Sequence, residues 1–310
     1  MQILDQEGKV VEEWVSKKEA HVVYALAPGE YILHEEQAPT EQGYVRAEDV
    51  KFVVEETGDV QKVKMEDDHT KVSISKTDIT DGKEIEGAKL QILDQDGEVV
   101  ESWTTGEEHL IEYLPVGTYT LHEEAAVDGY IVANDVEFTV EETGEIQKVK
   151  MEDERAMGQL VIVKTDTDSK AALEGVEFVL LEKETGKEVG RLKTGKDGKA
   201  VSELLPIGTY ENGVFKEPIT YVLKETATLK GYEKTEEEWE IVFTYQNDKT
   251  PVIEVVKEIQ NKKIPETPGT VKPGPKTGDD TNWFLPLLAL GVSAGMVAGL
   301  LYYRKRHKKA

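Results

Sequence analysis

An all-β chain of tandem small sandwich modules, followed by a proline-rich spacer and one apolar C-terminal helix, is the architecture predicted by this 310-residue sequence. Three observations predict it. A block of residues returns with a period of about 87, too long for a solenoid unit and suited to a duplicated domain. Within each copy, short runs of alternating apolar and polar residues are separated by turn dipeptides, and no stretch sustains a helical period. After Lys262 the composition changes, first to proline and then to an uncharged run.

The repeat is explicit. Gln2 to Trp14 returns as Gln91 to Trp103, Tyr31-Ile-Leu-His-Glu-Glu36 as Tyr119-Thr-Leu-His-Glu-Glu124, and Val63-Lys-Met-Glu-Asp67 as Val149-Lys-Met-Glu-Asp153. A third, diverged copy starts at Gln159 and carries Tyr221-Val-Leu-Lys-Glu225 with Gly231-Tyr232 after it. Strands are expected at Val72 to Ser75, Val99 to Trp103, Tyr119 to Leu121 and Val136 to Val140. Asp81-Gly82, Asp96-Gly97, Asp128-Gly129 and Thr143-Gly144 supply the turns. Several short strands at this spacing form a small sandwich. Copy two begins with Lys71 to Asp78 before reaching the segment that matches Met1, so copy one lacks its first strand. With no signal peptide at Met1, the expectation is a fragment whose natural protein extends upstream, with residues 1–68 poorly ordered or borrowing a strand from a neighbour. The modules are therefore 1–68, 69–154 and 158–263, with Glu154 to Gly158 as a short linker.

Residues 264–282, with Pro265, Pro268, Pro273 and Pro275, form an extended spacer. Trp283 to Tyr303 follows, an uncharged run that as a helix reaches roughly 31 Å and matches a hydrocarbon core of about 30 Å. Residues 304–310 supply five Lys/Arg that hold this end in the cytoplasm and place everything before the span outside. Just before the span, Pro275-Lys276-Thr277-Gly278 resembles the cell-wall sorting signal of Gram-positive surface proteins, a Leu-Pro-x-Thr-Gly motif. The resemblance implies a sortase that cuts after Thr277 and joins its carbonyl to a peptidoglycan amine. Gly274 stands where the motif has Leu, which leaves the sortase class open.

The formal net charge is −25, hence −30 before the basic tail. A phosphate-binding surface needs the opposite field, which excludes nucleic acid as a partner. There is no Cys, so no disulfide contributes robustness in a compartment that permits them.

Strand parity points to chemistry. In Val72-Ser-Ile74-Ser-Lys76 the apolar face is even and Lys76 lies on it. In Tyr119-Thr-Leu121-His-Glu123 the face is odd and Glu123 points in, and Val149-Lys-Met151-Glu-Asp153 turns Asp153 inward in the same way. Copy one repeats the Glu and the Asp as Glu35 and Asp67. A low dielectric favours the amine form of a buried lysine and the protonated form of a buried carboxyl. Held together without water, such an amine and acid condense to an amide, with Glu123 as the proton shuttle.

Copy two resembles a collagen-adhesin B-type domain, also called SpaA-type or prealbumin-like, found in Gram-positive pilins and adhesin stalks. The family pattern is a Lys in the first strand, a Tyr-x-Leu-x-Glu box followed by Gly-Tyr, and an Asn or Asp in the last strand. Lys76, Tyr119-Leu121-Glu123, Gly129-Tyr130 and Asp153 match it. Copy three matches with Lys164, Tyr221-Leu223-Glu225, Gly231-Tyr232 and Asn261, although Lys257 interrupts the inward face of its last strand. The resemblance implies isopeptide bonds Lys76–Asp153 and Lys164–Asn261, formed with Glu123 and Glu225 as shuttles and with loss of water and ammonia respectively. It also implies modules that resist stretching.

Asp94-Gln-Asp96-Gly97 and Asp166-Thr-Asp168 lack the further ligands of a calcium loop, and the six His show no zinc spacing, so no metal or cofactor is expected. The resulting expectation is a cell-wall-anchored surface protein: a non-enzymatic stalk, membrane-inserted before sorting, holding an upstream region that contacts a host or matrix ligand. An alternative makes the modules a tether for an upstream surface enzyme. A polymerising pilus shaft needs a reactive Lys in a Tyr-Pro-Lys-type motif, which is absent.

Overall fold

The computed structural model describes residues 1–265; the sorting motif, the apolar run and the basic tail lie outside the described residues. Those described contain strands, one short 3-10 turn and no α-helix. The all-β expectation therefore holds.

In module one the strands are β1 (Gln2–Leu4), β2 (Val10–Glu13), β3 (Gly29–His34), β4 (Tyr44–Val45), β5 (Val50–Val54) and β6 (Asp68–His69). Module two contributes β7 (Lys71–Asp78), β8 (Lys89–Leu93), β9 (Val99–Thr104), β10 (His109–Glu112), β11 (Gly117–Ala125), β12 (Tyr130–Ile131), β13 (Val136–Val140) and β14 (Ile146–Arg155). Module three adds β15 (Met157–Asp166), β16 (Glu177–Glu182), β17 (Glu188–Lys193), β18 (Lys199–Val201) and β19 (Leu205–Pro206). Its remaining strands are β20 (Gly208–Glu211), β21 (Val214–Pro218), β22 (Thr220–Ala227), β23 (Glu238–Val242) and β24 (Val252–Asn261).

Module two is a sandwich of two four-stranded sheets, β10-β7-β14-β12 against β13-β11-β8-β9. Period-two alternation sends Val72 and Ile74 from one sheet and Leu90, Ile92 and Leu121 from the other into a common core. Each such side chain contributes about 1.5–3 kcal/mol when fully buried. Module three repeats the plan: β15 lies between β18 and β24, faces the sheet β17-β16-β22-β23, and is joined by an added hairpin, β20-β21. In both modules the first and last strands are parallel neighbours, β7 with β14 and β15 with β24. The two ends of each module thus run side by side through its core.

Module one has only half of this. Its sheet β2-β1-β3-β5 reproduces β9-β8-β11-β13. The counterparts of β10 and β14, residues 21–24 and 60–67, carry no strand, and Asp67 is exposed. The absent strand corresponds to β7, which in module two is hydrogen-bonded to both β10 and β14. Without it neither neighbour has a ladder to join. The expectation of poor order for 1–68 is replaced by a definite half: one four-stranded sheet forms, only the short β4-β6 pair remains of the other, and no strand of module two is borrowed to complete it. The expected linker at 154–158 is likewise mostly strand, since β14 ends at Arg155 and β15 starts at Met157, leaving the buried Ala156 as the connection.

Candidate functional site

Lys76, Glu123 and Asp153 meet in the core of module two. Each is at most 2% exposed. The Lys76 Nζ donates to Asp153 Oδ1 and lies 3.0 Å from Glu123 Oε2, which also accepts the Ala133 N–H at 2.7 Å. Burial raises the Asp153 carboxyl well above the ordinary carboxylate range; the Lys76 cation opposes that shift and the Glu123 carboxylate adds to it. Glu123 Oε1 and Asp153 Oδ2 have no hydrogen-bond partner. Asp153 is the acid that must be protonated for its carbonyl carbon to accept an amine.

Strand register brings the pair together. Lys76 sits opposite Met151 across the parallel ladder, and Asp153 opposite Asp78. The acceptor is thus two residues further along the neighbouring strand on the same face, an offset of about 6.6 Å, which the long lysine stem spans. A one-residue slip would put the groups on opposite faces of the sheet. Module three keeps the same register: Lys164 is opposite Ile259, and Asn261 opposite Asp166.

The third module differs in its details. Lys164 is fully buried, its Nζ has no hydrogen-bond partner, and Glu225 Oε2 lies 3.8 Å away. Burial draws its pKa down to about 8, with Glu225 acting in the opposite direction, so a useful fraction is free amine near neutrality. The Asn261 amide donates to Glu225 Oε1 and to Thr228 Oγ1, both at 2.7 Å. One carboxylate therefore touches both the nucleophile and the nitrogen that would leave. Lys257, which interrupts the inward pattern, is half-buried with its ammonium 5.7 Å from the Trp239 ring, covering that side chain from the edge of the core.

Both sites can perform one reaction. The amine nitrogen attacks the side-chain carbonyl carbon, forming a C–N bond. The glutamate takes an amine proton and passes it to the departing group, and the C–O bond of Asp153 or the C–N bond of Asn261 breaks, releasing water or ammonia. In module one Glu35 is buried and accepts the Ala47 N–H at 2.8 Å, as Glu123 does from Ala133, but Asp67 is exposed and is not brought to it.

Two residues beside the sites were not anticipated from sequence. Asp78 is buried one pleat beyond Lys76 and accepts from the Tyr130 hydroxyl at 2.7 Å and from Arg155 Nε at 2.6 Å. Burial acts upward on it, but those donors and the Thr80 N–H outweigh this and keep it ionised. Asp166 holds the same place in module three, where the backbone N–H and hydroxyl of Ser169, helped by Tyr232, bring it down to about 2. The available signal was the Lys-Thr-Asp spacing shared by 76–78 and 164–166. Tyr130 thus anchors Asp78, whereas Ser169 is the main anchor of Asp166.

Two sandwich modules thus each carry a buried Lys–Glu–Asp or Lys–Glu–Asn triad between parallel first and last strands. The family model described as "SpaA: Prealbumin-like fold domain" matches residues 1–69, 70–155 and 158–218. The chain belongs to that family. A search among curated proteins finds no match. Among solved structures, the chain is similar to the Bacillus anthracis TIE protein at 30% identity, with 77% of this chain and 43% of that one covered and a TM-score of 0.49. The chain therefore spans less than half of that protein's length. A Streptococcal ancillary pilin matches at 19% identity over 78% of this chain and 77% of its own, with a TM-score of 0.29. The minor pilin GBS52 of Streptococcus agalactiae matches at 20% over 66% and 100%, with a TM-score of 0.27.

Proposed function

We propose that this chain is a load-bearing stalk segment of a Gram-positive surface protein, in which modules two and three close themselves with Lys76–Asp153 and Lys164–Asn261 amide bonds. The observation that carries the reading is the pair of buried triads at identical register on parallel first and last strands. In the chain-entropy picture each cross-link stabilises its module by about 4.5 kcal/mol, and no reductant reverses it. The tail motif at Pro275, Lys276, Thr277 and Gly278 would serve as the substrate of a sortase, joining Thr277 to peptidoglycan after transient membrane insertion through 283–303.

Intact mass of the purified 310-residue chain tests the bonds. The expected value is one water plus one ammonia below that of the sequence. Glu123→Ala restores the water alone and Glu225→Ala the ammonia alone, whereas a parent mass equal to the plain sequence would refute both bonds. For anchoring, incubation with sortase and a peptidoglycan-like amine should yield a product ending at Thr277, lost in Thr277→Ala.

A further inference from the structure

At each junction between modules the same small assembly recurs, and the bonding reaction makes no use of it. In module two it is built from Gly129-Tyr130 and Arg155, the last residue of β14. The Gly129 carbonyl accepts the Ala156 N–H at 2.8 Å and, from module three, the Tyr210 hydroxyl at 2.8 Å. The Arg155 guanidinium lies 4.1 Å from the centre of the Tyr210 ring, which meets the Tyr130 ring edge-on at 5.2 Å. In module one Gly43, Tyr44 and His69 play the same parts. Gly43 accepts the Thr70 N–H at 2.9 Å, His69 stacks on Tyr113 of module two with ring centres 4.1 Å apart, and Tyr44 meets Tyr113 edge-on at 5.4 Å.

Module three carries the corresponding groups: Gly231 accepts the Ile264 N–H at 2.8 Å, and Tyr232 bridges to Lys263 as Tyr44 does to His69 and Tyr130 to Arg155. Here no aromatic of a following module is present among the described residues. The glycines record the difference. A Cβ on Gly43 would fall 2.3 Å from the Tyr113 backbone and one on Gly129 2.8 Å from Tyr210 and Phe215, while one on Gly231 would meet nothing within 4 Å.

We propose that the Gly-Tyr dipeptide and the basic residue closing the last strand form an aromatic socket, that the next module inserts a tyrosine into it, and that the filled socket locks the two modules against relative rotation. The basic side chain and the tyrosine ring both pack on the inserted ring, and the absent glycine side chain lets it approach the backbone. At the second junction the β20-β21 hairpin, which carries Tyr210 and Phe215, is the part that module three adds to the shared plan. Tyr245 and Asp248 reinforce the contact, the tyrosine hydroxyl reaching the Tyr130 carbonyl at 2.9 Å and the Asp248 carbonyl accepting the Val132 N–H at 2.9 Å. Arg155 also pairs with Asp78, which ties the socket to the strand that carries Lys76.

The chain has no Cys, so Asp96→Cys and Glu184→Cys place one spin label on an exposed loop of each of modules two and three. Dipolar spectroscopy on the full chain then reads their distance distribution. A narrow distribution is expected in the parent, and a broad one in Tyr210→Ala and Arg155→Ala. Gly129→Ala and Gly231→Ala make a matched pair, because both glycines have φ of 89° and the backbone cost is the same. Only Gly129→Ala should broaden the distribution. Intact mass is to be recorded for each variant, so that any broadening is read only between proteins with the same mass deficit as the parent. Equal widths in the parent and Tyr210→Ala, or equal broadening by the two glycine variants, overturn the proposal.

Discussion

Val63 to Asp67 and Val149 to Asp153 are the same five residues, Val-Lys-Met-Glu-Asp, and they end in different states. In module two they lie in β14, with Met151 and Asp153 buried; in module one they form no strand and Asp67 is exposed. The difference is the neighbour. Module two has β7 to supply a parallel ladder, and module one has no equivalent. A strand at the centre of a sheet is thus a hub: without it only the short β4-β6 pairing remains of that sheet, while the opposite sheet, β2-β1-β3-β5, persists because each of its pairings is internal. Strand propensity alone decides little when the pairing partner is missing.

That contrast can be broken most strongly at Lys76. Lys76→Ala keeps the β7 ladder but removes the nucleophile, and the unfolding free energy of module two should fall by about 4.5 kcal/mol, measured by denaturant titration with hydrogen exchange to localise the loss. The β10 and β14 amides should stay protected, since their partner strand remains. If they exchange as freely as residues 60–67, the covalent bond rather than the ladder holds the sheet.

Next in size is the pH dependence of an unbonded third module. In Asn261→Ala, Lys164 retains its amine. Because its folded pKa is near 8 and its unfolded pKa near 10.5, the unfolded chain binds more protons between those values. Stability therefore rises with pH across that window, by up to about 3 kcal/mol, and is lost again as pH falls through 8. The bonded parent, with no amine to titrate, should lack this slope.

A smaller effect separates two of the Gly-Tyr tyrosines. Tyr130→Phe removes a hydrogen bond to the Asp78 carboxylate and should cost module two about 2 kcal/mol. Tyr44→Phe in module one, which lacks a counterpart of Asp78, should change stability by no more than about 0.5 kcal/mol. Equal costs would show that the hydroxyl acts through some other contact. The smallest prediction is one of sameness. His34 pairs with Asp49 at 2.6 Å and His122 with Asp135 at 2.7 Å on the sheet that both modules possess, so His34→Ala and His122→Ala should each cost under about 1 kcal/mol by native-state exchange.

The triads were legible because strand alternation has a period of two and charged residues on an apolar face stand out. Lys76, Glu123 and Asp153 could be placed inward from three short runs, and Lys164 and Glu225 followed from the resemblance of copy three to the family pattern. Asn261 was harder, since Lys257 shares its face and its role as a cover for Trp239 is visible only once β23 is in place. The Asp78–Tyr130–Arg155 cluster and the sockets were not legible, because their partners come from separate strands or from the next module. The fate of residues 60–67 was hidden for the same reason, the sequence of 61–67 being identical to that of 147–153, which does form a strand.

Parallel pairing of first and last strands also changes what a cut in the chain means. With the Lys76–Asp153 bond in place, a continuous covalent path enters at Lys71, crosses at Lys76 and leaves through Arg155, so residues 77–152 form a side loop on that path. A protease that nicks the exposed turn at Asp96-Gly97 would open the loop without parting the two ends of the module. The same holds for residues 165–260 once Lys164 is joined to Asn261. Most single backbone breaks in these two modules would then leave the chain in one piece.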